Sequence, residues 1–317
     1  MKVIITLLCA ATAAATAASI PNHNVNLNVQ RRSGTRPAQL VLARPPSTPS
    51  TNTNSHNKPA IQAAAAVSSS VSESTRGGAT LSPPSSSSPS PITSVSGSFR
   101  IPSASMPVSG PTAGNENGLY GASFWIGLDS SSSSCSAGIN NTILRAGVDI
   151  FWDGNAGGAQ TPVAWYELYP TVAPVDFNIT LAAGDNLRIT ADQTTGTVTL
   201  ENFGQTDSTR KAVVQTVTHT FPTTGTGGST GDCAVGAWVV EDFPLAALPD
   251  YPVALVNFTE AAFRNLKVVE GAKNGKNTVK GTPVTGNIVL EAQGGQLTDC
   301  TVHSAGDVRC VRTVGSQ

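Results

Sequence analysis

From about Ser94 onward the chain breaks every few residues at Gly, Asn, Asp, Ser or Pro, and almost nothing between the breaks keeps a helical period. The intervening runs are short and rich in Val, Ile, Thr, Phe and Trp, residues that suit a pleated, half-buried strand. Strands are predicted at Val95–Ile101, Phe124–Leu128, Thr142–Trp152, Val163–Tyr169, Asn186–Ala191 and Thr197–Asn202. Further strands are predicted at Ala212–Phe221, Ala237–Phe243, Val253–Phe258, Phe263–Val269, Asn287–Ala292 and Val308–Val314. This spacing argues for an all-β fold, an antiparallel two-sheet β-sandwich. The roughly 220 residues involved suffice for one such domain with a sizeable core.

The N-terminal part has a different texture. Lys2 precedes an apolar run, Val3 to Ala11, and small residues continue to Ala18. Residues 1–18 therefore read as a secretory signal peptide cleaved after Ala18, rather than as a buried helix. The run is too short to span a bilayer, and no later stretch reaches the ~18 apolar residues a membrane helix needs. The mature protein is expected to be soluble, secreted and extracellular. Residues 19–72 are rich in Asn, Ser, Thr, Pro and Ala and cannot bury enough surface to fold alone. Residues 1–72 carry six basic residues (Lys2, Arg31, Arg32, Arg36, Arg44, Lys58) and no Asp or Glu. The rest holds the other 13 of 19 basic residues and all 20 acidic ones, a net charge of −7. A basic leader is attracted to an acidic domain, and the attraction fades as carboxylates protonate. Residues 19–72 thus read as a propeptide that partners its own domain, with a plain disordered linker as the alternative. The folded domain is assigned to 73–317, with a Ser/Pro-rich loop at 82–91 open to O-glycans.

Cys9 leaves with the signal. Cys135, Cys233, Cys300 and Cys310 remain, an even number that in an exported chain fits two disulfides. Of the three possible pairings, Cys300–Cys310 across a short hairpin-like stretch is preferred, which leaves Cys135–Cys233. No Cys-x-x-Cys pair exists and His219 and His303 lack ligand spacing, so no metal site is expected. Asn140, Asn178 and Asn257 begin Asn-x-Ser/Thr sequons for N-glycosylation.

Two-residue alternation singles out a candidate site. On Thr142–Trp152, Leu144, Ala146, Val148 and Ile150 share a core face, whereas Arg145, Gly147, Asp149 and Phe151 share the other. On Val163–Tyr169, Trp165, Glu167 and Tyr169 share a face. A carboxylate between two large aromatics suits a peptide or sugar cleft, and an ordinary half-wet sheet face is the plain alternative. Glu241 sits in Ala237-Trp238-Val239-Val240-Glu241-Asp242-Phe243, an otherwise apolar strand. Burial there raises a carboxyl's pKa unless the group is paired, and such groups recur at acid–base sites.

Several runs occur in an order that resembles the glutamic peptidases, or eqolisins, secreted fungal acid proteases insensitive to pepstatin. They are Phe124-Trp125-Ile126-Gly127-Leu128-Asp129, Ile143-Leu144-Arg145-Ala146-Gly147-Val148-Asp149, Ala164-Trp165-Tyr166-Glu167-Leu168-Tyr169-Pro170, Val239-Val240-Glu241-Asp242-Phe243 and Thr298-Asp299-Cys300 to Cys310. Arg76-Gly77-Gly78-Ala79 and Val95 to Pro102 fit the family's N-terminal strands, so the likeness covers roughly residues 75–315. The resemblance implies a concanavalin A-like jelly roll with a cleft on one concave sheet face. It also implies proteolysis by a Glu–Gln pair. The Glu serves as general base and then acid on water, and the Gln amide donates to the oxyanion. The family's Glu falls on Glu241. Its cleft residues fall on Trp125, Asp129, Asp149, Trp165, Glu167 and Tyr169.

The chain departs from that pattern at three positions. Arg145 stands where the family has its catalytic Gln, Arg76 where it has a cleft Trp, and Val163 where it has an acid. An arginine donates but cannot accept a hydrogen bond from the attacking water. Arg145 can stabilise an oxyanion. It can equally pair with Glu241 in an inert arrangement. Two readings therefore stay open: an acid endopeptidase, and a catalytically impaired homologue acting as a peptide- or glycan-binding module on a fold that does not itself decide function. For the first, polypeptides are the expected substrates. No cofactor, nucleic-acid or membrane partner is expected of this acidic domain, and a monomer is expected.

Overall fold

The computed structural model describes residues 74–82, 91–107, 118–130, 142–205, 213–222, 234–245, 248–272, 275–278, 282–290, 295–303 and 306–313. The stretches expected as signal peptide (1–18) and propeptide (19–72), residues 83–90 of the Ser/Pro tract, Asn140 and the expected Cys135–Cys233 pair lie outside them. All regular structure among the described residues is strand, as the punctuated sequence predicts. In chain order these are β1 (Arg76–Leu81), β2 (Ile92–Arg100), β3 (Leu119–Asp129), β4 (Ile143–Asp153), β5 (Gly158–Ala159), β6 (Val163–Tyr169) and β7 (Val172–Asp176). There follow β8 (Asn186–Asp192), β9 (Thr197–Asn202), β10 (Gln215–Thr220), β11 (Val235–Glu241), β12 (Pro244–Leu245), β13 (Leu248–Pro252) and β14 (Ala254–Leu255). The last are β15 (Glu260–Ala272), β16 (Gly275–Thr278), β17 (Val284–Gly286), β18 (Val289–Leu290), β19 (Gly295–Gln296), β20 (Thr298–Val302) and β21 (Val308–Arg312).

Two large sheets form the sandwich. One runs β17-β1-β11-β3-β4-β6-β7, the other β10-β9-β8-β2-β15-β21-β20. Every pairing along both paths is antiparallel. Between them lies one core: Phe124, Ile126, Leu128, Leu144, Ala146, Val148, Ile150, Trp238 and Val240 from the first sheet. Val95, Phe99, Leu187, Ile189, Ala191, Val198, Leu200, Phe263 and Val268 answer from the second. The core face predicted for β4 is thus the observed one. Gly97 makes the close approach possible, because a β-carbon there would stand 2.7 Å from the indole nitrogen of Trp238, which donates to the Ser96 carbonyl at 3.1 Å. Gly78, at φ +125°, lies against the Trp238 carbonyl, 2.1 Å from where its β-carbon would be. The Gly77-Gly78 pair therefore serves strand packing within β1 and makes no turn.

The run predicted as a strand over Val253–Phe258 pairs in parallel with β3 at Ala254–Leu255, and its Asn257 bridges Ser105 in antiparallel. Its apolar residues Val253, Leu255, Val256 and Phe258 are buried, and that burial rather than ladder pairing explains its composition. At the C-terminal end, Cys300 and Cys310 face each other across β20 and β21 and form a disulfide, their Cα atoms 4.0 Å apart. Asn178 is exposed; Asn257 is half-buried, and its side-chain oxygen accepts from the Thr259 amide at 3.0 Å. His219 stacks on Tyr166 with ring centroids 3.9 Å apart, and burial pushes its pKa down. An NMR titration of His219 should give a midpoint below the ~6.5 of an exposed histidine. A midpoint above it would contradict this environment.

Candidate active site

The first sheet's outer face carries the polar machinery. On β3, β4, β6 and β11 the residues that alternate with the core set are Ser123, Trp125, Gly127 and Asp129; Ile143, Arg145, Gly147 and Asp149; Val163, Trp165, Glu167 and Tyr169; and Ala237, Val239 and Glu241. Trp125, Ile143, Trp165, Ala237 and Val239 pack together there, with Tyr169 against them, as a second apolar cluster apart from the core. Gly147 lets the two indoles close over β4. A β-carbon there would meet the Phe124 carbonyl oxygen, Trp125 Cβ and Trp165 Cζ2, each at 2.7 Å. Because one obstacle is backbone, no rotamer relieves it. Gly147→Ala should destabilise the fold by about 1–3 kcal/mol, read as a lower urea midpoint. An unchanged midpoint would mean that the indoles shift freely.

On this apolar floor a charged network centres on Glu241. One carboxylate oxygen, Oε2, accepts from the indole N–H of Trp125 at 2.7 Å and from Arg145 Nη1 at 2.8 Å. The other, Oε1, accepts from Arg76 Nε at 3.2 Å. Arg145 Nε donates to Glu167 Oε2 at 2.6 Å, and Arg76 Nη1 lies 3.4 Å from Asp129 Oδ2. Asp149 accepts from the indole N–H of Trp165 at 2.8 Å. The guanidinium of Arg145 lies 4.8 Å from the Trp125 ring centre and 5.3 Å from that of Trp165, so aromatic faces as well as carboxylates hold the cation. Arg145 and Glu241 are only 7% and 6% exposed. Burial alone pulls the Arg145 pKa down, but Glu167, Glu241 and Asp129 more than reverse this, and the net shift is upward. The guanidinium therefore stays charged at any pH the protein meets.

Glu241, Arg145, Arg76, Trp125, Asp129 and Glu167 thus form one connected network. Asp149 and Trp165 form a second pair beside it, and Tyr169 joins through apolar packing. Val163 faces Asp149 across β4 and β6, so no carboxyl stands at that point. The sequence reading passed over Ser123, which is wholly buried on the same face as the cross-strand partner of both Glu241 and Asp149. Its two-residue offset from Trp125 is the signal that would have found it. At 2.8 Å the Arg145–Glu241 contact is direct, and no water fits between the two groups as they stand. Among the described residues no cluster of three or more His, Cys, Asp or Glu is placed to hold a metal ion.

Comparison with known proteins agrees with this geometry. A model of the "Peptidase A4 family" matches residues 74–312. Aspergillopepsin-2 of Aspergillus niger is 32% identical over 225 residues, which cover 66% of this chain and 70% of that protein.

Proposed function

The chain belongs to the peptidase A4 family, and on that premise we propose that it is a secreted acid endopeptidase of the glutamic type, with Glu241 as general acid and base on the attacking water. The observation that carries this reading is the convergence of Glu241, Arg145 and Trp125 on one buried sheet face, Oε2 of Glu241 lying 2.7 and 2.8 Å from two fixed donors. The carboxylate takes a proton from water as it attacks the scissile carbonyl, then returns one to the leaving amine. Arg145, once parted from Glu241, faces the charge that develops on the carbonyl oxygen while Glu167 still holds it. Tyr169 is the partly exposed aromatic that a polypeptide can meet, while Trp125 and Trp165 lie buried beneath and hold Glu241 and Asp149 in place. The signal-like residues 1–18, the basic stretch 19–72 and the Cys300–Cys310 disulfide support export and a propeptide. The test is release of peptides from casein or denatured haemoglobin by purified mature protein between about pH 2 and 5. No cleavage across that range would overturn the reading.

A second reading is favoured by the same ion pair. With both oxygens of Glu241 engaged by cations, the face is a locked site that binds peptide or glycan beside the half-buried Tyr169 without cutting it. Saturable binding of a peptide or glycan, together with no cleavage by wild type or by Arg145→Gln, would favour it.

A further inference from the structure

Glu241 must exist in two forms if it is to take up and return a proton, and the groups that hold its ionised form do not suit the other. Arg76, Arg145 and Trp125 donate to it and can accept nothing. A protonated Glu241 needs an acceptor for its new O–H. Across the β3–β11 ladder the residue opposite Glu241 is Ser123, on the same face. Such partners carry their Cβ atoms about 4.5–5.5 Å apart, within reach of a hydroxyl and a carboxyl group. The Ser123 hydroxyl is fully buried and makes no hydrogen bond. A buried hydroxyl is seldom left so, since the group forfeits its hydration without compensation. Two residues along β3 on the same face, Gly121 is closed over by Phe151 and Val253, members of an apolar cluster with Phe243.

We propose that Ser123 is the positioning residue for the acid form of Glu241: its oxygen accepts the carboxyl proton and so fixes where that proton waits between its uptake from water and its delivery to the leaving amine. The hydroxyl's own hydrogen then points across the next ladder to Asp149, the other cross-strand partner of Ser123. The row Glu241–Ser123–Asp149 thereby becomes a short chain of hydrogen bonds that exists only when Glu241 is protonated. The charged groups around Glu241 are Arg76 on β1, Asp129 on β3, Arg145 and Asp149 on β4, Glu167 on β6 and Asp242 beside it in sequence. Of the carboxylates, Asp129 is already engaged by Arg76, Glu167 by Arg145 and Asp149 by Trp165, whereas the Ser123 hydroxyl is buried with no partner. The inference rests on Glu241 being the working carboxyl.

The test follows the carboxyl-carbon NMR signal of Glu241 against pH in the full-length protein, assigned by its loss in Glu241→Gln. In Ser123→Ala the neutral form loses one hydrogen bond, so the midpoint should fall by about half to one pH unit. Ser123→Thr, which keeps a hydroxyl, should stay near wild type. An unmoved midpoint in Ser123→Ala, or an equal fall in Ser123→Thr, would overturn the proposal. Should Ser123→Thr fail to fold, Ser123→Ala decides alone, because it removes a single atom from the site. The titration needs no turnover. A wild-type protein without peptidase activity leaves this test intact, whereas an active enzyme with an unmoved midpoint refutes only the role of Ser123.

Discussion

Arg145→Gln should raise acid proteolysis at least about tenfold over wild type. The wild-type base is held by a guanidinium nitrogen 2.8 Å away, and a charge-assisted bond of this kind is about twice as strong as a neutral one. Any water that is to attack must first separate that pair. A glutamine amide is shorter and neutral, and it both donates and accepts, so it can sit beside a water rather than displace it. Freeing Glu241 of about 1.4 kcal/mol of such holding is already worth a factor of ten in rate. The same change removes the cation that Glu167 and Glu241 share, so it should cost about 3–5 kcal/mol of stability near neutral pH. That cost depends on the carboxylates being charged. Initial rates on a denatured protein substrate, beside denaturant midpoints at two pH values, check both halves. A variant that folds and cuts no faster than wild type would show that Arg145 is not a brake.

Glu241→Gln should lower any acid proteolysis by at least about a hundredfold, the usual scale for losing a positioned acid–base group. The amide is close in shape, so the indole of Trp125 keeps an oxygen to donate to, while Arg76 and Arg145 lose their charged partner. Arg145 retains Glu167 and Arg76 retains Asp129, which limits the structural damage. A loss in kcat with little change in KM is the expected split, because the carboxyl acts on water and not on substrate binding. Activity equal to wild type would remove Glu241 from the mechanism.

The strand pattern and the two faces of β4 and β6 were legible because alternation is a local property: Leu144, Ala146, Val148 and Ile150 fall in the core whatever their neighbours are. The membership of the site was legible only through the order of its motifs. Nothing local brings Arg76 to Glu241, 165 residues apart in sequence. That Arg145 lies over both indoles and also reaches the Glu241 carboxylate depends on Gly147 letting Trp125 and Trp165 close over β4, a three-body fact absent from any single run. Ser123 was missed for a related reason. A serine in a strand carries no chemical signal until the ladder sets it between Glu241 and Asp149. The Val253–Phe258 run pairs in pieces, at Ala254–Leu255 and at Asn257, because burial of Val253, Leu255, Val256 and Phe258 holds it as much as the ladder does.

Arg76 belongs to β1, the first described strand, and β1 lies between β11 and β17. If the proposed propeptide is cut away, β1 sets how far the cut can reach. A cut before Ser74 leaves every described strand intact. A cut beyond Arg76 would strip the cation from Oε1 of Glu241 and begin to unpair β11, leaving the strand that carries Glu241 with an open edge. Trimming past Arg76 would then act as an adjustment of the site itself, removing one of the two cations that hold the central carboxylate.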